Sequence, residues 1–154
     1  MGQLENILLA QGKRSLIIQE CCVLIDEEVA SKKGISGLAI KGGYAVFKAV
    51  KKSALPDAVD FLLDDFVHVL DGFYDRFRDD GASAKGTFKS FLVARRAEVA
   101  EGLLAITDRR QEASTNRTVK GAYLKLRPMA SHHVQEAVPR LGELMERHLV
   151  TIVP

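Results

Sequence analysis

Two short stretches of this 154-residue chain hold residue types that could do chemistry together. Lys41, Tyr44 and Lys48 stand three and then four apart, and Lys120, Tyr123 and Arg127 repeat that spacing. On a helix this spacing puts three side chains on one side, so each stretch would present two cations beside a hydroxyl. Such a trio can hold a phosphate or a carboxylate. The commoner use of a basic run is a solvated face, with lysine stems covering apolar surface and heads paired to an acidic neighbour.

Asp26 and Asp108 sit in otherwise apolar segments at comparable places. A buried carboxylate needs hydrogen-bond partners, and the Tyr or Lys of the following helix can supply them. Both are therefore expected to be structural latches that fix the register of a helical hairpin. An enzyme would have to draw on Asp108, Arg109, His132 and His133, yet general acid–base work needs a partner that the sequence does not identify. His132 and Glu136 are four apart and could offer two metal ligands from one helical edge, but no third ligand stands nearby, and HExxH and CxxC are absent. Phosphate-loop, dinucleotide and GxSxG patterns are absent too, so no metal and no cofactor is expected. The only cysteines, Cys21 and Cys22, are adjacent within an apolar run. On a helix they point about 100° apart, which suits two small buried hydrophobes better than a redox pair.

The elements that must position these residues are helical. Ile17, Cys21, Leu24, Ile25 and Val29 recur at spacings of three and four, as do Val99, Leu103, Leu104 and Ile106. No Asn-Gly or Asp-Gly hairpin dipeptide separates β-branched runs. The pattern predicts a short helix near 3–10 and long helices near 13–32, 37–52, 56–71, 87–112, 118–130 and 132–149. Gly34 is read as a helix stop and Ser36 as the next cap. Pro56 suits a first helical turn. Pro139 should kink or divide the last helix. Arg78 to Thr87 reads as a linker near the middle of the chain.

That linker prompts a search for a repeat. An offset of 79 carries Ile40-Lys41-Gly42-Gly43-Tyr44 onto Val119-Lys120-Gly121-Ala122-Tyr123, and Phe47, Lys48 and Val50 onto Leu126, Arg127 and Met129. An offset of 82 relates Arg14, Ile17, Cys21, Leu24 and Asp26 to Arg96, Val99, Leu103, Ile106 and Asp108. The expectation is one all-α domain over 1–154, a bundle of about six long helices plus a short N-terminal one. Two pseudo-repeated three-helix units, about 13–72 and 87–150, would be joined by the linker at 78–87. Gly42 and Gly43 in mid-helix are expected where a neighbouring helix approaches closely.

Composition fits a globular chain: 47% hydrophobic and 27% charged, with a net charge of +2. The near-neutral balance argues against a dedicated nucleic-acid binder, and the lack of Trp leaves little stacking surface. Within the average lie opposed blocks. Residues 31–52 hold six lysines and no acid, whereas 57–80 hold eight aspartates against two arginines. No apolar run is long enough to span a membrane, and the start lacks the pattern of a signal peptide, so a cytoplasmic location is expected. Met1-Gly2 resembles a myristoylation start, but Asn6 stands where that motif has Ser or Thr.

The Lys41-Gly42-Gly43-Tyr44 run resembles a motif of a small bacterial family of all-helical proteins without assigned function. So do Leu126-Arg127-Pro128-Met129-Ala130 and the segment from His133 to Leu141 (HVQEAVPRL). The resemblance covers most of the chain and implies a bacterial helical domain. It carries over no active-site residue, because the motifs are of packing type. The sequence thus points first to a non-catalytic binding or interaction module, self-associating through an apolar helix face. Second comes binding of a small anionic or amphipathic ligand between the two units. An enzyme resting on Asp108, Arg109, His132 or His133 comes third.

Overall fold

A computed structural model describes residues 2–79, 81, 83 and 85–150, with backbone alone at Val150. The described residues are all-α: seven helices and no strand. They are α1 (Gln3–Leu8), α2 (Arg14–Ser31), α3 (Gly34–Ala49), α4 (Ala54–Asp79), α5 (Phe88–Ala94), α6 (Arg96–Glu112) and α7 (Arg117–Val150). α7 is the spine of the bundle, packed against α6, α5 and α3.

The all-helical reading of the sequence holds, while several boundaries move. The segment expected as one helix over 87–112 is two, broken at Arg95. Thr87 caps α5 by accepting from the Ser90 backbone N–H at 3.1 Å, and Ser90 Oγ accepts from the Thr87 N–H at 3.1 Å. At the other end Arg95 donates to the Phe91 carbonyl at 3.1 Å and lies 3.7 Å from the Phe91 ring. This stops α5 and turns the chain into α6. Conversely, the two helices expected over 118–130 and 132–149 are one, running through Pro128 and Pro139. Each proline removes one backbone bond, but α7 stays packed along its length, through Tyr123 on α6 before Pro128, Val138 in the core between the two, and Leu144 and Met145 in the core after Pro139, which offsets the loss. α4 runs on through the exposed Gly72 to Asp79, because Phe73 and Phe77 continue its buried stripe. Ser36 does not cap α3, which starts at Gly34 with φ +76°. Only glycine enters that conformation at little cost, so Gly34 makes the sharp turn out of α2. Part of the expected linker, positions 80, 82 and 84, lies outside the described residues.

The core forms from α1, α2, α4, α5, α6 and α7. Phe73, Phe77, Phe88 and Phe91 fill its centre, with the Phe77 ring 5.4 Å from Phe88 and 5.5 Å from Phe91. α1 joins through Leu4 and Leu8, each worth about 2 kcal/mol of burial. Its orphan N–H groups are met from another helix: buried Asp71 accepts from Leu4 N at 2.8 Å and Glu5 N at 3.2 Å. Gly2 is needed there because a β-carbon would strike the Asp71 carboxylate. α3 supplies no residue to this core. It lies over the rest of the bundle, touching α7, α4 and α2.

Candidate functional site

The aspartates, tyrosines and cations of the two spaced trios meet in pairs of helices. Tyr44 of α3 donates its hydroxyl to Asp26 of α2, and Lys48 Nζ lies 3.3 Å from the same oxygen. Tyr123 of α7 donates to Asp108 of α6, while Arg127 binds that carboxylate through Nε at 2.8 Å and Nη2 at 3.1 Å. Thr107 adds a hydroxyl 2.7 Å from Tyr123 Oη. Both carboxylates are more open than the apolar segments suggest, with side chains 50% and 37% exposed. The Tyr44 bond holds the Asp26 carboxyl below its usual range, and Arg127 followed by Tyr123 does so for Asp108. The phenols move the other way. Burial, then the facing carboxylate, pushes Tyr123 up to about 12 and raises Tyr44 as well.

Between these two latches lies a cavity of about 410 Å³, overwhelmingly apolar and partly open to solvent. Ile40, Gly43, Tyr44 and Phe47 of α3 face Val119, Ala122, Tyr123 and Leu126 of α7 across it. Phe61 and Leu62 of α4 and Arg110 and Gln111 of α6 close further sides. Gly43 brings α3 close to α7, since a β-carbon there would run into the Leu126 side chain, whereas Gly42 faces open space. Arg110 lies 4.8 Å from the Phe61 ring and pairs with Asp65 at 2.6 Å, so its charge is already met. Gln111 Oε1 is buried with no hydrogen-bond partner among the described residues.

Of the residues singled out from the sequence, Tyr44 and Tyr123 line this cavity and Lys41, Lys48, Lys120 and Arg127 do not. Lys41 and Lys48 border a separate shallow hollow between α2 and α3, beside Asp26 and Tyr44. Lys120 reaches the Glu112 carbonyl at 3.4 Å. Asp108 and the histidines fall in different clusters, and Arg109 is exposed. His132 is exposed, whereas His133 is buried in a polar cluster that the sequence alone did not reveal.

At the centre of that cluster is buried Lys32, at the end of α2. Its Nζ binds Glu28 at 3.0 Å, and Glu136 and the His133 carbonyl at 3.1 Å. Arg140 closes the other side of Glu28 at 2.7 Å. Burial and then the Lys32 charge lower the His133 pKa, although its Nδ1 lies 3.3 Å from the Glu136 carboxylate. Lys32 holds the Glu136 carboxyl low. Spacing within α2 could have flagged Glu28 and Lys32 as an i,i+4 pair, but not their partners on α7. The cysteine thiols are both raised by burial, Cys21 to about 12, which keeps them protonated and poorly nucleophilic.

Among the described residues no helix is long and apolar enough to cross a membrane, and no cluster of three or more His, Cys, Asp or Glu could hold a metal ion. Comparison with curated proteins and with solved structures finds no match. A family of unknown function, DUF6918, matches residues 4–149, so the chain belongs to that family.

Proposed function

We propose that this chain is a non-catalytic binding protein, and that the cavity between α3 and α7 takes a small amphipathic molecule. The observation that carries this reading is the cavity itself, whose apolar walls include a residue with an unpartnered buried acceptor, Gln111 Oε1. Ligand pockets commonly enclose about 300–1,000 Å³ and combine apolar walls with a few polar groups. A volume of about 410 Å³ falls within that range. A buried acceptor without a partner costs free energy, which a ligand donor would relieve once the Gln111 side chain turns its oxygen toward the cavity. The ligand this favours has an apolar body and one neutral donor such as a hydroxyl. A strongly anionic ligand has less support, because Lys48 and Arg127 are engaged by carboxylates and Arg110 by Asp65.

n-Octanol is a suitable probe, having one hydroxyl on an apolar chain. Thermal unfolding with increasing octanol should show a rising Tm, since a ligand that binds only the folded state stabilises it. Ala122→Phe, on the cavity wall, should keep the helical circular-dichroism spectrum and lose the octanol effect. A wild-type Tm that does not rise, or an equal rise in the folded variant, would overturn the reading.

A further inference from the structure

The outer face of α3 is a second feature that the core and the cavity leave unused. Ile35 is 89% exposed and Leu38 70%, with Val46 at 45% and Val50 just beyond the helix at 41%. Gly42, Ala45 and Ala49, also exposed, lie between them. At 100° per residue these seven positions share one side of the helix, opposite Ile40, Tyr44 and Phe47, which line the cavity. A continuous apolar strip of this kind on a folded surface marks an interaction site. The segment around it is basic, with no acid from Val29 to Pro56, and the neighbouring carboxylates Asp26 and Asp57 are engaged by Lys48 and Lys51. Lys33 and Lys41 border one hollow with Ile35 and Leu38. Lys33, Lys41 and Lys52 are exposed and make no ion pair among the described residues.

We infer that this face of α3 docks on the surface of an anionic lipid bilayer, with Ile35 and Leu38 entering the headgroup boundary and the lysines meeting lipid charge. Exposed aliphatic side chains flanked by lysine suit a helix lying in the plane of a membrane interface. Protein interfaces use other residues, being enriched in Tyr, Trp and Arg and depleted in Lys, and this face holds none of the first three. A second copy fits less well. Two antiparallel α3 helices related by a twofold axis would bring Lys41 of one toward the same flank of the other, a like-charge approach that Asp26, already engaged by Tyr44 and Lys48, offsets only in part.

Sedimentation of the full chain with vesicles tests this. Vesicles of equal parts phosphatidylcholine and phosphatidylglycerol should carry the protein down, and phosphatidylcholine alone should bind about tenfold less or weaker. High salt should release the protein. Leu38→Glu and the double variant Lys33→Glu/Lys41→Glu change exposed residues, so both should keep the wild-type circular-dichroism spectrum and lose vesicle binding. Absence of binding to the anionic vesicles overturns the inference, as does equal binding to neutral ones or full binding by folded Leu38→Glu. A concentration-dependent dimer that Leu38→Glu dissolves, with no vesicle binding, would assign the face to a second copy instead.

Discussion

Arg127 grips Asp108 with two hydrogen bonds, Nε to Oδ1 at 2.8 Å and Nη2 to Oδ2 at 3.1 Å. The corresponding cation of the other latch, Lys48, offers Asp26 a single contact at 3.3 Å. Bidentate geometry is the stronger arrangement, and solvent screens both pairs. Arg127→Ala should therefore lower stability by about 1 kcal/mol and Lys48→Ala by less than half as much. Urea unfolding at neutral pH gives both values directly. Acid should act through the same group: the folded pKa of Asp108 lies below its ordinary 3.8, so the stabilisation is complete above that value and fades as pH falls through the folded one.

The cap on α1 depends on one carboxylate from α4. Asp71→Ala leaves two backbone N–H groups without their acceptor and should cost about 2 kcal/mol. Amide exchange in Leu4 and Glu5 should accelerate more than exchange in α6, because the loss is local.

Lys32 holds together carboxylates from α2 and α7, and removing it leaves Glu28 buried with Arg140 as its remaining partner. Lys32→Ala should destabilise by about 3 kcal/mol. Lys32→Ala combined with Glu28→Gln should recover part of that loss, since the uncompensated charge is gone. A double-mutant cycle in urea measures the coupling.

His133 gives that cluster a pH dependence. Its folded pKa is lowered from 6.5, so the unfolded chain takes up the proton first as pH falls. Stability is therefore complete above pH 6.5 and declines through the window below it. The charges facing the ring are Lys32, Glu136 and the neighbouring His132, and the net effect is opposed to protonation. Subtracting the profile of His133→Gln from that of wild type isolates this contribution from the other histidines. The difference should shrink steadily between pH 7 and pH 5, a window chosen to bracket the ordinary value of 6.5.

How far the sequence revealed these features depended on the distance over which each is made. Asp26 with Tyr44 and Asp108 with Tyr123 are contacts between consecutive helices, so spacing alone suggested them. The continuity of α7 was hidden because Pro128 and Pro139 are local breakers, and what overrides them is packing against helices distant in sequence. The break at Arg95 was hidden for the opposite reason. No Gly or Pro marks it, and it depends on how Arg95 folds back on Phe91. The cluster at Lys32 joins residues about a hundred positions apart, a separation that periodicity does not reach. The cavity was legible only as two facing stripes: Lys48 and Arg127 serve the latches beside it, Lys120 reaches the Glu112 carbonyl, and Lys41 borders a separate hollow.

The central claim is that the space between α3 and α7 is a ligand site. Methyl NMR during an octanol titration tests it most directly. Shifts confined to Ile40, Leu62, Val119 and Leu126, and absent from Ala122→Phe, are the predicted result. An unchanged cavity spectrum, or shifts arising only at Ile35 and Leu38 on the outer face of α3, would contradict it.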